Sequence, residues 1–141
     1  MKKIYILLLS FVMYTVQSQS QVVTAEKDQL VEKCLTFQPL VDKIPAQVQA
    51  LMTDYYILGN NFGNDFSPNL IVDGKKISFL TKSDLSPAKP FFIFYTIYIE
   101  NDKAFARYYF TYTNNGVETI IPVTIDFVKS NSVWQVVKYT I

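Results

Sequence analysis

The chain has no histidine, one cysteine, one arginine and four glycines in 141 residues. Without histidine it lacks the side chain that most often moves protons at neutral pH. That excludes Ser-His-Asp and Cys-His catalysis and removes most zinc sites. The lone cysteine, Cys34, has no internal partner for a disulfide. It sits among Leu30, Val31 and Leu35 at helical spacing and reads as a small buried apolar residue. The few glycines build no phosphate-cradling loop, neither Walker nor dinucleotide-binding. Arg107 is the only arginine and no basic run occurs, so the clustered charge that neutralises nucleic-acid phosphates is missing. The stretch from Asn60 to Asp65 offers oxygen ligands but lacks the terminal glutamate of a calcium loop, and reads as a polar loop. No catalytic residue, metal or cofactor is assigned on these grounds.

Long apolar runs are also absent. The one at the start, Ile4 to Val16, follows Met1-Lys2-Lys3 and precedes the polar Gln17-Ser18-Gln19-Ser20. A basic start, a short apolar centre and a small-residue exit have the form of a secretory signal peptide. Spanning a bilayer takes about twenty residues, more than this run supplies. The expectation is a signal over 1–18, cleaved after Ser18 or Ser20, leaving a secreted or periplasmic protein with no stable membrane span. A retained N-terminal anchor is the alternative. No cysteine follows the run, which argues against a lipid-anchored N-terminus. Residues 19–141 then form one α+β domain of ordinary size, large enough to fold without disulfides.

What the chain has in quantity is aromatic residues, 16% of the total and including ten tyrosines. From Thr24 the pattern is helical, with Leu30, Val31, Cys34 and Leu35 on one face, Glu26 in the first turn and a stop at Pro39. A second helix is expected from Pro45 to Leu58, on a stripe of Val48, Leu51, Met52 and Tyr55, ended by Gly59. Loops are expected over 59–68 and 82–90. After the first of these the period changes to two. Asp73-Gly74 reads as a tight turn between strands at 69–72 and 75–81, and longer strands follow at 91–100, 103–113, 117–128 and 133–140.

Turns at Asn101-Asp102 and Asn115-Gly116 fix the register. Ile99 meets Ala104, Ile97 meets Ala106, Tyr95 meets Tyr108, Ile93 meets Phe110 and Phe91 meets Tyr112. The same apolar face continues through Thr119, Ile121, Val123, Ile125 and Phe127. For the last strand, either Trp134 and Val136, or Val133, Val137 and Tyr139, join this face. The opposite face is mixed: Phe92, Phe94, Thr96, Tyr98 and Glu100, then Lys103, Phe105, Arg107, Tyr109 and Thr111, then Glu118, Ile120, Pro122, Thr124 and Asp126. The fold class is therefore α+β, with N-terminal helices on one face of a curved antiparallel sheet of four to six strands.

The order of helix, helix, short hairpin and long meander, with the ending Asn131-Ser132-Val133-Trp134-Gln135-Val136-Val137, resembles the cystatin-like, or nuclear-transport-factor-2-like, superfamily. That resemblance implies a conical pocket, dimers through the sheet face, and in its enzymes an aspartate base with tyrosine donors. Asp126, Tyr98 and Tyr109 are the matching residue types here, and a carboxylate beside aromatics can act as a base. A cross-strand ion pair between Asp126 and Arg107 accounts for the acid more simply, as it does for Glu100 and Lys103.

Phe94, Tyr98, Arg107 and Tyr109 are the candidate binding residues, since aromatics around an isolated arginine are the composition of interface centres. Three roles are open to their face. It is core beneath loops 59–68 and 82–90, or a surface for a homodimer or an exported protein partner, or a platform for a small apolar or sugar-like ligand. The functional expectation is a secreted or periplasmic non-catalytic binding or interaction domain whose aromatic sheet face mediates self-association or ligand binding. The alternatives are a pocket enzyme using the Asp/Tyr pair and an accessory or inhibitory protein that docks on another exported protein.

Overall fold

A computed structural model describes residues 24–59, 67, 69–86 and 89–141. The expected signal at 1–18 and most of the loop at 59–68 lie outside the described residues.

Helix α1 covers 24–35, as its apolar spacing predicts. Pro39 bends the path but does not end the helical section: a second short helix, α2 (Gln38–Val41), starts one residue after Phe37 with the proline in its first turn, where a missing N–H is tolerated. A third, α3 (Ala46–Gln49), starts just after Pro45.

The expected helix over Pro45–Leu58 is corrected here. Only Ala46–Gln49 is helical, and Tyr55–Leu58 is a strand, β1. The stripe of four apolar residues was too short to separate a helical period from alternation. Leu51, which a helical stripe would bury, is half-exposed, whereas Tyr55 and Ile57 alternate into the core.

The remaining strands are β2 (Ile71–Val72), β3 (Lys75–Leu80), β4 (Phe91–Glu100), β5 (Lys103–Asn114), β6 (Val117–Ser130) and β7 (Val133–Thr140). They form one sheet in the order β2-β3-β1-β4-β5-β6-β7, so the strand count is seven rather than four to six. The sheet is mixed, because β1 runs parallel to both β3 and β4. It curls strongly into a half-barrel around the bent helical section, an α+β arrangement.

Tight turns set the antiparallel registers. Asp73-Gly74, Asn115-Gly116 and Asn131-Ser132 each place two successive residues at positive φ, the geometry whose twist matches that of flanking strands. The β5–β6 pairing follows the Asn115-Gly116 turn throughout, from Asn114 opposite Val117 to Ala104 opposite Phe127.

The β4–β5 register holds only near its turn, where Ile99 faces Ala104 and Ile97 faces Ala106. A bulge between Phe94 and Thr96 then shifts β4 by one residue, so that Phe94 faces Tyr108 and Phe92 faces Phe110. The expected inward set of Phe91, Ile93 and Tyr95 is thereby replaced by Phe92 and Phe94. The exchange buries two phenyl rings and leaves Tyr95 about half-exposed, and a bulge also adds the local bend a curled sheet needs.

A second bulge, between Asp126 and Phe127 in the β6–β7 register, settles the last strand. Neither expected set holds alone: Trp134 and Val136 face inward beside Lys129 and Phe127, and beyond the bulge Tyr139 faces inward beside Ile125. Tyr139 meets Phe37 edge-on at 5.1 Å.

The space between helix and sheet is filled. Leu30, Val31, Cys34, Leu35 and Leu40 meet Phe92, Phe94, Tyr108, Phe110, Ile125, Phe127 and Trp134, all essentially inaccessible to solvent. Two ring contacts knit the sheet side, Phe92 to Phe110 at 4.8 Å and Phe94 to Tyr108 at 5.0 Å. Burying each phenyl ring stabilises the fold by about 1.5–3 kcal/mol. The Tyr108 hydroxyl donates to the Cys34 carbonyl at 2.9 Å, so this buried hydroxyl is satisfied by the helix above it, whereas the buried Trp134 Nε1 has no hydrogen-bond partner among the described residues. At the end of the sheet the Lys129 ammonium pairs with Glu26 in α1 and lies 5.4 Å from the Trp134 ring.

Candidate functional site

With the helix-facing side filled, the exposed chemistry lies on the other side of the sheet. Because side chains alternate along each strand, the residues between those of the core on β4, β5 and β6 form this outer face. Tyr98 faces Phe105, Thr96 faces Arg107 and Ile93 faces Tyr109. Phe105 faces Asp126, Arg107 faces Thr124 and Tyr109 faces Pro122.

Of the four residues expected to bind, the structure brings three to this face. Tyr98 is 56% exposed, Arg107 is exposed and Tyr109 is half-buried. Phe94 is the correction: it is fully buried on the helix side, because the β4 bulge turns it inward. Its place outside is taken by the bulge residue Tyr95, whose ring lies 4.8 Å from that of Tyr109. Nothing in a strictly alternating sequence marks Tyr95 as outward, and only the bulge reveals it.

A groove of about 320 Å³ crosses this face near the Asn101-Asp102 turn. Tyr98, Phe105, Val128 and Val137 line it, and Glu100, Lys103 and Asp126 supply its charge. Asp126 lies opposite Lys138 on β7 as well as Phe105 on β5. Among the described residues no ion pair within 4 Å joins Asp126 to Arg107, so the expected cross-strand pair is not formed. The carboxylate sits in an open groove rather than an enclosed cavity. Its surroundings are aliphatic and aromatic walls with charges of both signs, which suits contact with another surface.

At the opposite end the described residues of the 82–90 loop border the outer face. A short 3₁₀ turn, Lys82–Asp84, is held by a reciprocal cap: the Thr81 backbone N–H donates to the Asp84 carboxylate at 2.8 Å, and the Thr81 hydroxyl donates to it at 2.6 Å. These hydrogen bonds hold the Asp84 carboxyl below its ordinary pKa. Beyond the turn, Leu85, Ser86 and Lys89 wall a recess of about 400 Å³ whose other side is Phe91, Thr113 and Glu118. The Lys89 ammonium lies 5.0 Å from the Tyr56 ring.

The helix side offers less. A recess of about 200 Å³ between α2, α3 and the β2–β3 turn includes Tyr55. Burial, and then the charge of Asp73, push the Tyr55 hydroxyl pKa up. Cys34 is fully buried and burial raises its thiol pKa strongly, which disfavours the reactive thiolate. No cluster of three or more metal-ligating side chains occurs among the described residues. Likewise, no helix among them is long and apolar enough to cross a membrane.

The sequence matches no protein-family model, no curated protein and no solved structure. The functional reading therefore stands on the geometry of the outer face.

Proposed function

We propose that this chain is an exported, non-catalytic binding domain whose contact surface is the outer face of its sheet, and that its partner is another exported protein. The observation that carries this reading is the division of aromatic residues between the two faces. Phe92, Phe94, Tyr108 and Trp134 close the helix side, while Tyr95, Tyr98 and Tyr109 remain on the other side beside Arg107. Large aromatic side chains near a single guanidinium supply most of the energy at protein interfaces. The groove at Tyr98, Phe105 and Val137 adds a depression into which a partner side chain fits.

The open setting of Asp126 favours binding over acid–base chemistry, which needs a carboxylate shielded from water. The cystatin-like layout remains part of the proposal as a description of helix on curled sheet. A deep conical pocket is not part of it, since side chains occupy the space such a pocket would need.

The test is cross-linked capture from the exported fraction of the source cells, comparing the natural chain with a Tyr98→Ala/Arg107→Ala/Tyr109→Ala variant. The reading expects one captured protein that is lost with the variant while folding is unchanged by circular dichroism. Equal capture by both chains contradicts it.

A further inference from the structure

The two margins of the sheet are unequal. On one side the edge strand is β2, only two residues long; on the other it is β7, with eight. Among the described residues β7 pairs with β6 alone, so alternate N–H and C=O groups along it point away from the sheet unpaired. Natural edges are usually short, charged or interrupted by proline.

The free stretch of β6 is protected in this way. β7 ends opposite Thr124, and the part of β6 beyond that point carries Pro122 and Glu118. β7 itself holds no proline and one charge, Lys138. Val133 is 51% exposed, Val137 60% and Tyr139 51%.

We propose that β7 pairs antiparallel with β7 of a second copy about a two-fold axis, joining two half-barrels into one continuous sheet. The strand is complementary to itself. Centring the axis between Val136 and Val137 sets Trp134 opposite Tyr139, Gln135 opposite Lys138 and Val133 opposite Thr140. The single charge thus meets an amide rather than its own kind, and like charges directly opposite would oppose pairing. Trp134 and Tyr139 both face the helix side, and Gln135 and Lys138 both face outward, so these two pairs each lie on one face as an antiparallel ladder requires, and the bulge residue Val137 meets Val136 at the axis. The bulge in β7 permits this register, because it shifts the alternation by one residue between the two halves of the strand. An eight-residue ladder exchanges about eight backbone hydrogen bonds. It leaves both outer faces free and brings the two grooves, each flanked by Val137, to the seam.

This inference is independent of the protein-binding reading, and one set of measurements separates them. Sedimentation of the full chain over 1–100 µM is compared with Val133→Lys/Val137→Lys and with Tyr95→Ala/Tyr109→Ala. The edge lysines are expected to weaken the dimer at least tenfold while the near-ultraviolet signal of Trp134 is kept, and the face variant is expected to leave the dimer unchanged. Amide exchange at β7 is expected to slow as concentration rises. A natural chain that is monomeric at 100 µM overturns the proposal. So does a dimer lost only in the face variant, or β7 exchange that ignores concentration.

Discussion

The Tyr108 hydroxyl reaches across from the middle of the sheet to donate to the Cys34 carbonyl at 2.9 Å, tying the helix to the sheet. Both residues are fully buried, so the bond has no water to replace it. Tyr108→Phe keeps the ring and strands the carbonyl, and is expected to cost about 1–3 kcal/mol in urea denaturation. Tyr108→Ala adds a cavity and is expected to cost about 3–5 kcal/mol.

Cys34 lies under the same contact, and burial raises its thiol pKa. A thiol reagent such as dithionitrobenzoate is expected to react with the folded chain only as fast as it unfolds, and at once in denaturant. Rapid modification of the folded chain at neutral pH would show that the helix does not cover this position.

Two positive-φ positions give opposite predictions. Ser132 lies at φ 63 in the β6–β7 turn, a conformation that costs a residue with a Cβ about 1 kcal/mol or more. Ser132→Gly is expected to raise the melting temperature by a few degrees. Gly116 lies at φ 77 with open space around it, so Gly116→Ala is expected to destabilise through backbone strain alone, by about 1 kcal/mol.

The cap on the 3₁₀ turn is acid-sensitive. Hydrogen bonds from Thr81 lower the Asp84 pKa in the folded state, so its stabilising effect is complete above the ordinary carboxyl value. It is lost as pH falls through the depressed folded value. Amide exchange at Thr81 and Asp84 is therefore expected to accelerate under acid relative to that at β5, with Asp84→Asn removing the pH dependence.

The sequence carried the long meander because its turns are local. Asn115-Gly116 fixes β5 against β6 over twelve pairs, and Asp73-Gly74 places β2 against β3. It did not carry the two bulges, since a one-residue slip in β4 or β7 depends on which side chains fit against the helix. For that reason Phe94 was expected outside and proved to be core, while Tyr95 did the reverse. Residues 55–58 failed for a different reason: four apolar residues fit either period, and the partners that make them a strand, Ile77–Leu80 and Phe92, are distant in sequence. Tyr98, Arg107 and Tyr109 were legible because they lie on the turn side of the β4 bulge or on the regular strand β5.

Division of the tyrosines between the two faces underlies the whole functional reading, and nitration with tetranitromethane followed by peptide mapping measures it directly. Tyr95 and Tyr98, each about half-exposed on the outer face, are expected to nitrate readily, while Tyr55, Tyr108 and Tyr112 stay unmodified until the chain unfolds. Nitration of Tyr108 at the rate of Tyr98 in the folded protein would contradict the account.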